Sequence, residues 1–297
     1  MNSGVNMMRA IHITTARAGP AFSWLHLAFT ALGGLVLLFI VAPLLGIYLN
    51  SAPADVLSAA KESEVQQSIW LTLWVSMAAT LAFAIACIPF AYILARKDFP
   101  LKGLVSGIID LPVIVPHSVA GIAILSIFAR DTLLGDAAEW AGFEIVGTPV
   151  GIAAAMAFVS VPFLINAARD GFSAVPIRLE RVAASLGASP LRVFLTISLP
   201  LAWKSVLSGL ILMWGRGMSE FGAVIIVAYH PMITPILIYE RFGAYGLKYS
   251  RPVAALFMAV CLVIFILLRL LARGRKNAED CASLKTPWLI LNAGRLV

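Results

Sequence analysis

The chain has 297 residues, 61% of them hydrophobic and only 12% charged, with a mean hydropathy of +0.93. A water-soluble domain is nearer half apolar and a quarter charged, so the composition excludes a soluble globular protein and makes the bilayer the solvent. The formal net charge of +7 is spread over short segments between apolar runs. Membrane topology accounts for it better than nucleic acid does, and no nucleic-acid partner is expected.

Six apolar runs reach the length of about 20 residues that a spanning helix needs: residues 24–49, 67–94, 103–128, 148–168, 201–229 and 252–273. The expected fold class is all-α integral membrane with six transmembrane helices. The first run is too long for a signal-peptide core and no small-residue cleavage site follows it, so it reads as a retained anchor. Residues 1–23 then form an N-terminal tail, 24–276 the six-helix domain, and 277–297 a tail to which the sequence assigns no role. Of the 22 Lys and Arg, sixteen fall on the side holding both tails and the loops near Arg96 and Arg178. Five fall on the other side, and Arg216 lies inside a run. The positive-inside rule makes the rich side cytoplasmic, in a multi-pass protein of the cell membrane with both termini in the cytoplasm.

The third run carries "DLPVIVPHS". Pro112 and Pro116 are expected to bend or break this helix. Asp110 is expected to cap a freed backbone N–H or to touch a pathway, and His117 to be a packed or interfacial histidine.

Between the fourth and fifth runs lies a charged segment, 169–200, ending in "LERVAASLGASPLRVFLTISLP". Leu179, Val182, Ala183 and Leu186 fall at i, i+3, i+4 and i+7, an apolar helix face. Arg178, Glu180, Arg181 and Ser185 take the other faces. Gly187 stands where a helix ends in a left-handed residue, Ser189 and Pro190 begin a second helix, and Pro200 marks the entry to the fifth span. So short a cytoplasmic loop cannot bury the stripe within itself. Lipid headgroups or a partner groove must cover it, and composition alone slightly favours lipid.

The fifth run contains "WGRGMSEFGAVIIVAYHPM". Arg216 and Glu220 lie four apart at membrane depth, where ionisable groups pair, line a watery pathway, or both. Gly209, Gly215, Gly217, Ser219 and Gly222 are expected to let neighbouring helices approach closely. The three cysteines and four histidines have no metal or disulfide spacing, no metal site is expected, and no Ser/His/Asp or H-E-x-x-H arrangement occurs. A membrane-embedded enzyme would have to be built from Asp110, His117 and Glu220, whose spacing does not ask for it. A receptor is the other rival class.

The loop resembles the EAA loop of ABC-importer membrane subunits, E-A-A-x3-G-x9-I-x-L-P. Gly187 matches its glycine, Ile197, Leu199 and Pro200 its end, and Ala183 its second alanine, while Arg181 stands at the glutamate position with Glu180 one residue before, and Val182 at the first alanine. The stretch Glu220, Phe221, Gly222, Ala223 after Arg216, with "DLPVIVPHSVAGIAIL" and "ARDGFSAVPIRLE", is similar to the molybdate/tungstate branch. The sulfate, phosphate and thiamine branches share the loop. The resemblance covers roughly residues 65–273 and implies a type I importer permease with a coupling helix in the loop. It further implies a homodimer joined to two ATPase subunits and one extracytoplasmic oxyanion-binding protein. Arg216, Glu220, Phe221 and Asp110 would then line or gate the pathway. The chain has no G-x-x-x-x-G-K-[ST] loop, so ATP and Mg would bind the ATPase, and no cofactor or catalytic residue is expected here.

Overall fold

The computed structural model describes residues 20–268 apart from Asp131, Ala141 and Phe143, with side chains from Trp24 onward. The expected tail 277–297, the end of the sixth run and nearly all of the first tail lie outside these residues. The chain divides into two units, one ending at Asn50 and one starting at Ser51.

The first unit holds α1, Pro20–Leu49. It is apolar around its whole circumference, and its side chains from Trp24 are almost all exposed. A helix without a polar face is a lipid-facing helix, and a bilayer tolerates Pro43 inside it.

The second unit begins with the short α2 (Pro53–Lys61) and the long α3 (Ser63–Arg96). Then come α4 (Lys102–Ile114), α5 (His117–Phe128), α6 (Leu133–Trp140) and α7 (Pro149–Ala174). The loop holds α8 (Ile177–Ser185) and α9 (Pro190–Val193), and α10 is Leu199–Met218. Beyond it are α11 (Val224–Val227), α12 (Thr234–Tyr245) and α13 (Leu247–Leu268). Among the described residues five helices are long and apolar enough to cross a membrane, or six if the bent pair α4–α5 counts as one span.

That pair turns through 112° at Val115–Pro116. Proline disfavours a helical residue before it, so the break falls where Pro116 stands, while Pro112 stays within α4. The fourth span runs six residues past its expected end, so 169–174 belong to α7 rather than to the loop. The fifth helix is displaced as a whole. It runs from Pro190 to Met218 instead of 201 to 229, and Pro200 lies inside it rather than at its entry. A π turn at Phe194–Ser198 widens the helix just before Pro200, with the Leu199 N–H bonded to the Phe194 carbonyl. The wider turn spares the helix a clash with a ring that has no donor to offer.

The core lies between α3, α7 and α10. Leu94, Leu164, Phe172, Val206 and Met213 are buried in it, and the Tyr92 ring meets Phe172 and Phe194 edge-on at 5.3 and 5.0 Å. Lipid cannot drive apolar side chains together, so close backbone approach does the holding. A Cβ at Gly171 would come within 2.4 Å of the Ser205 side chain, and one at Gly209 within 3.2 Å of the Leu164 backbone. Of the glycines expected at close crossings, Gly209 and Gly222 are so placed. Gly217 has only ordinary contacts, and Gly215 faces open space because its side of α10 meets no neighbour.

Candidate functional site

The loop closes on a hydrogen-bonded turn. Gly187 has φ +86°, its N–H bonds the Ala184 carbonyl, and the Ala188 N–H reaches back to Ala183. Both bonds satisfy carbonyls that the end of α8 would leave without partners. Ser189 then caps α9 by accepting from the Arg192 N–H at 3.4 Å, with Pro190 in the first turn. Ile197 lies half-buried in the π turn, and Pro200 is exposed.

The sequence reading set Glu180 on a face other than the apolar stripe, and the structure makes that face the enclosed one. Glu180 is the one buried residue of α8. Its Oε1 accepts from Arg96 Nε at 2.9 Å, Arg96 Nη2 at 2.7 Å and Ser198 Oγ at 2.7 Å, and Oε2 accepts from Tyr92 at 3.1 Å. Arg96 Nη2 also donates to the Val175 carbonyl. The glutamate thus ties α8 to the end of α3 and to the π turn before α10. Burial pushes its carboxyl pKa up, but the Arg96, Ser198 and Tyr92 donors outweigh burial and hold it below its ordinary value. Arg96, Tyr92 and Ser198 were not singled out from the sequence. Arg96 lies 84 residues from its partner, and only its place at the end of an apolar run hinted at a special role.

With Glu180 turned inward, the apolar stripe turns outward. Leu179, Val182 and Leu186 are exposed, Leu186 at 84%, and Ala183 is half-exposed. Leu191 and Leu195 extend the exposed apolar surface beyond the turn, and Arg178 and Arg181 flank it.

The second cluster sits where two spans are interrupted. The helix α10 stops at Met218, so Glu220 lies beyond its end rather than within the fifth span as expected. Ser219 and Glu220 begin a turn that leads to α11. Arg216 Nη2 still reaches Glu220 Oε2 at 2.9 Å, and Arg216 Nη1 donates to Ser219 at 3.3 Å. Glu220 Oε1 accepts the Ala223 N–H at 2.9 Å and so replaces the missing helical acceptor. His117, the first residue of α5, lies against both: Arg216 Nη2 is 2.8 Å from its Nε2, and its Nδ1 is 3.4 Å from Glu220 Oε2. A Cβ at Gly222 would meet the His117 Cβ at 2.7 Å, and one at Gly121 the Ala223 carbonyl at 2.8 Å. The break in the third span is therefore seated on the turn that ends the fifth.

The other expected pathway residues lie elsewhere. Asp110 accepts from Asn166 of α7 at 2.6 Å; its partner is a side chain, not the backbone N–H expected, because Asn166 faces it across the helix crossing. It is not among the groups bonded to Arg216 or Glu220. Phe221 is half-buried with its ring 4.9 Å from that of Tyr239 in α12. A buried polar seam went unnoticed in the sequence: Ser68 and Thr72 of α3 meet Thr234, whose N–H donates to the Thr72 hydroxyl at 2.9 Å and starts α12. Its signal was the i, i+4 repeat Ser68, Thr72, Ser76, Thr80 within an apolar run.

Residues 87–277 match the family described as "Binding-protein-dependent transport system inner membrane component". The chain is 44% identical over 253 residues, 84% of its length and 96% of the relative's, to "Molybdate/tungstate transport system permease protein WtpB" of Thermococcus kodakarensis. It is 42% identical to the protein of that name from Pyrococcus abyssi, over 84% of this chain and 96% of that one. Against "Sulfate transport system permease protein CysT" of Synechocystis it is 28% identical over 71% and 75%. Among solved structures, a bacterial ABC transporter involved in the import of the polysaccharide alginate has a chain with the same fold. The TM-score is 0.69 at 17% identity, with 86% of this chain and 96% of that one covered. The chain belongs to the binding-protein-dependent transport system inner membrane components, and is a multi-pass membrane subunit of an ABC importer: a transport component served by an ATPase subunit and a binding protein, not an enzyme.

Proposed function

We propose that this chain is the permease subunit of a molybdate/tungstate importer. The observation that carries the substrate is the identity of 41–44%, over nearly their whole length, to four relatives named for molybdate and tungstate, against 26–30% to those named for sulfate. Two copies of the chain enclose the pathway, joined to two ATPase subunits and to one extracytoplasmic oxyanion-binding protein that makes the selective capture. ATP and Mg bind the ATPase, and this chain carries no cofactor. It sits in the plasma membrane with both termini in the cytoplasm, the 1–23 and 277–297 tails included.

The coupling loop supports this reading. A short helix held from behind by Glu180, with Leu179, Val182 and Leu186 facing out, has the form of a helix that docks in a groove through a few apolar anchors. Movement of the docked ATPase would pass through α8 to α3 and α10 by way of Arg96 and Ser198. A tetrahedral dianion pays a large desolvation cost in a low-dielectric pore, so its route needs water and few fixed charges.

The test is reconstitution of the chain with its ATPase in vesicles, with the binding protein outside. Molybdate and tungstate should enter on ATP hydrolysis, and sulfate and phosphate should not. Uptake of sulfate or phosphate alone overturns the substrate, and chemical turnover by the isolated chain overturns the transport role. Labelling of single cysteines placed at each terminus, from either side of the membrane, checks the orientation.

A further inference from the structure

We propose that His117 and Arg216 form a transit contact for a tetrahedral oxyanion inside the membrane, with Glu220 as an internal counter-anion that the substrate competes with for Arg216. The proposal rests on the oxyanion reading above and deepens it, naming a place in the pathway and a residue, His117, that the sequence reading set aside as a packed histidine.

Three observations carry it. The first is depth. Gly217, next to Arg216, faces Met156 and Ser160 of α7 and Ser76 of α3. Each has at least seven residues of its helix on either side, so the cluster lies well within the membrane. The second is that two spans lose their helical backbone here and meet: the third bends by 112° before His117, and the fifth ends at Met218. Non-helical backbone at membrane depth persists only where protein buries it or water lines it. Broken helices that meet at one level are a recurring way to build an ion or substrate site in a transporter.

The third observation is how the charges are shared out. The Glu220 side chain is 1% exposed, whereas Arg216 is 24% and His117 39% exposed. The negative charge is inside and the donors look out. The His117 imidazole lies against both neighbours, with Arg216 Nη2 2.8 Å from its Nε2 and 3.3 Å from its Nδ1, and Glu220 Oε2 3.4 Å from its Nδ1. The Arg216 guanidinium pairs with Glu220, lies against His117 and donates to Ser219, and keeps donors to spare because it carries five N–H groups. A dianion arriving at the open side finds Arg216 and can turn the imidazole toward itself. Glu220 keeps the contact weak enough to release it. A bare arginine at this depth would hold a dianion too tightly to pass it on.

A mere latch between the two breaks would use the same residues, so the test must separate contact from packing. In vesicles containing the full complex, the readout is anions moved per ATP hydrolysed, for molybdate, tungstate and sulfate. His117→Gln, His117→Leu and His117→Glu are compared with the unaltered complex. If His117 meets the anion, the order is Gln, then Leu, then Glu. Glu should lie about tenfold or more below the unaltered complex, as expected when a charge-assisted hydrogen bond is replaced by repulsion. If His117 only latches the breaks, Glu pairs with Arg216 and ranks above Leu, which overturns the proposal. Equal ratios in all three variants overturn it too. Should the Glu variant fail to assemble, Gln against Leu decides: a Leu ratio equal to that of Gln overturns the contact. Unaltered complex that moves sulfate but not molybdate breaks the substrate assignment instead, and the series is then read on sulfate.

Discussion

The molecule holds two arginine–glutamate pairs of almost equal length, 2.7 Å for Arg96–Glu180 and 2.9 Å for Arg216–Glu220. They are built in opposite ways. The first joins residues 84 apart, and both partners are about nine-tenths buried. The donors around Glu180 come from two other elements, the end of α3 and the π turn before α10, so the pair fixes the position of a helix whose outer face is bare. The second pair is local, four residues apart across the end of a helix, and only its glutamate is enclosed. One pair turns a charged loop into a rigid lever; the other leaves cationic donors open at a break in the membrane. On the readings proposed above, the same two residue types serve force transmission in one place and substrate passage in the other, and burial of the arginine makes the difference.

The comparison can be broken most severely at the lever. Removing one member of an enclosed pair leaves a buried charge, so Glu180→Ala and Arg96→Ala should each cost about 3–5 kcal/mol, read as thermal unfolding in detergent and protease cleavage at α8. The contribution of Glu180 depends on pH with a definite sign. Its carboxyl pKa lies below the ordinary value, so its stabilisation is present above the usual carboxylate range and fades as pH falls through the lowered value. Glu180→Gln should lose this acid-dependent step.

At the second pair the two single changes should differ. Arg216→Ala strands the enclosed Glu220 and should cost about 3 kcal/mol, while Glu220→Ala leaves a partly exposed arginine and should cost less. The double change should be milder than Arg216→Ala alone. Strictly additive losses in thermal stability would show that the pair does not act as one.

The bare face comes next. Leu186→Asp should weaken ATPase association by about 2 kcal/mol, roughly 30-fold, while leaving the stability of the chain itself nearly unchanged, as co-purification and thermal unfolding together would show. If the ATPase stays bound and the loop instead leaves lipid, the stripe is a membrane-surface element. Gly187→Val forces a β-branched residue to φ +86° with open space around it, so strain alone acts and should cost about 1–2 kcal/mol. Substrate-stimulated ATP hydrolysis should fall while the spans still insert, and Gly187→Asn should be milder because asparagine tolerates this conformation. The smallest effect is expected at Arg178→Ser and Arg181→Ser, exposed flanks worth under about 1 kcal/mol each. Their effect on ATPase binding should vanish at high salt.

Much of the architecture was legible from one-dimensional physics. A run of apolar residues has no stable place but the bilayer, so the spans could be read from composition, and the prolines at 112 and 116 announced a bend. The glycine turn at 187, the N-cap at Ser189 and the apolar stripe of α8 were legible for the same reason: each depends on residues within one or two helical turns. What the chain alone left open was decided by residues far apart in it. The inward turn of Glu180 required Tyr92 and Arg96 from the end of α3 and Ser198 from the π turn, and no local pattern distinguishes an enclosed carboxylate from a solvated one. The early start of the fifth helix depended on a π turn that excuses Pro200, and its early end on a glutamate capping the Ala223 N–H. His117 gained its place because the bend in the third span sets it on the turn after the fifth, with Gly222 making room. Local sequence chooses helices, turns and lipid-facing surface. Which charges are buried, and against what, is settled only when the helices pack, because the cost of burying a charge depends on partners that the chain brings from elsewhere.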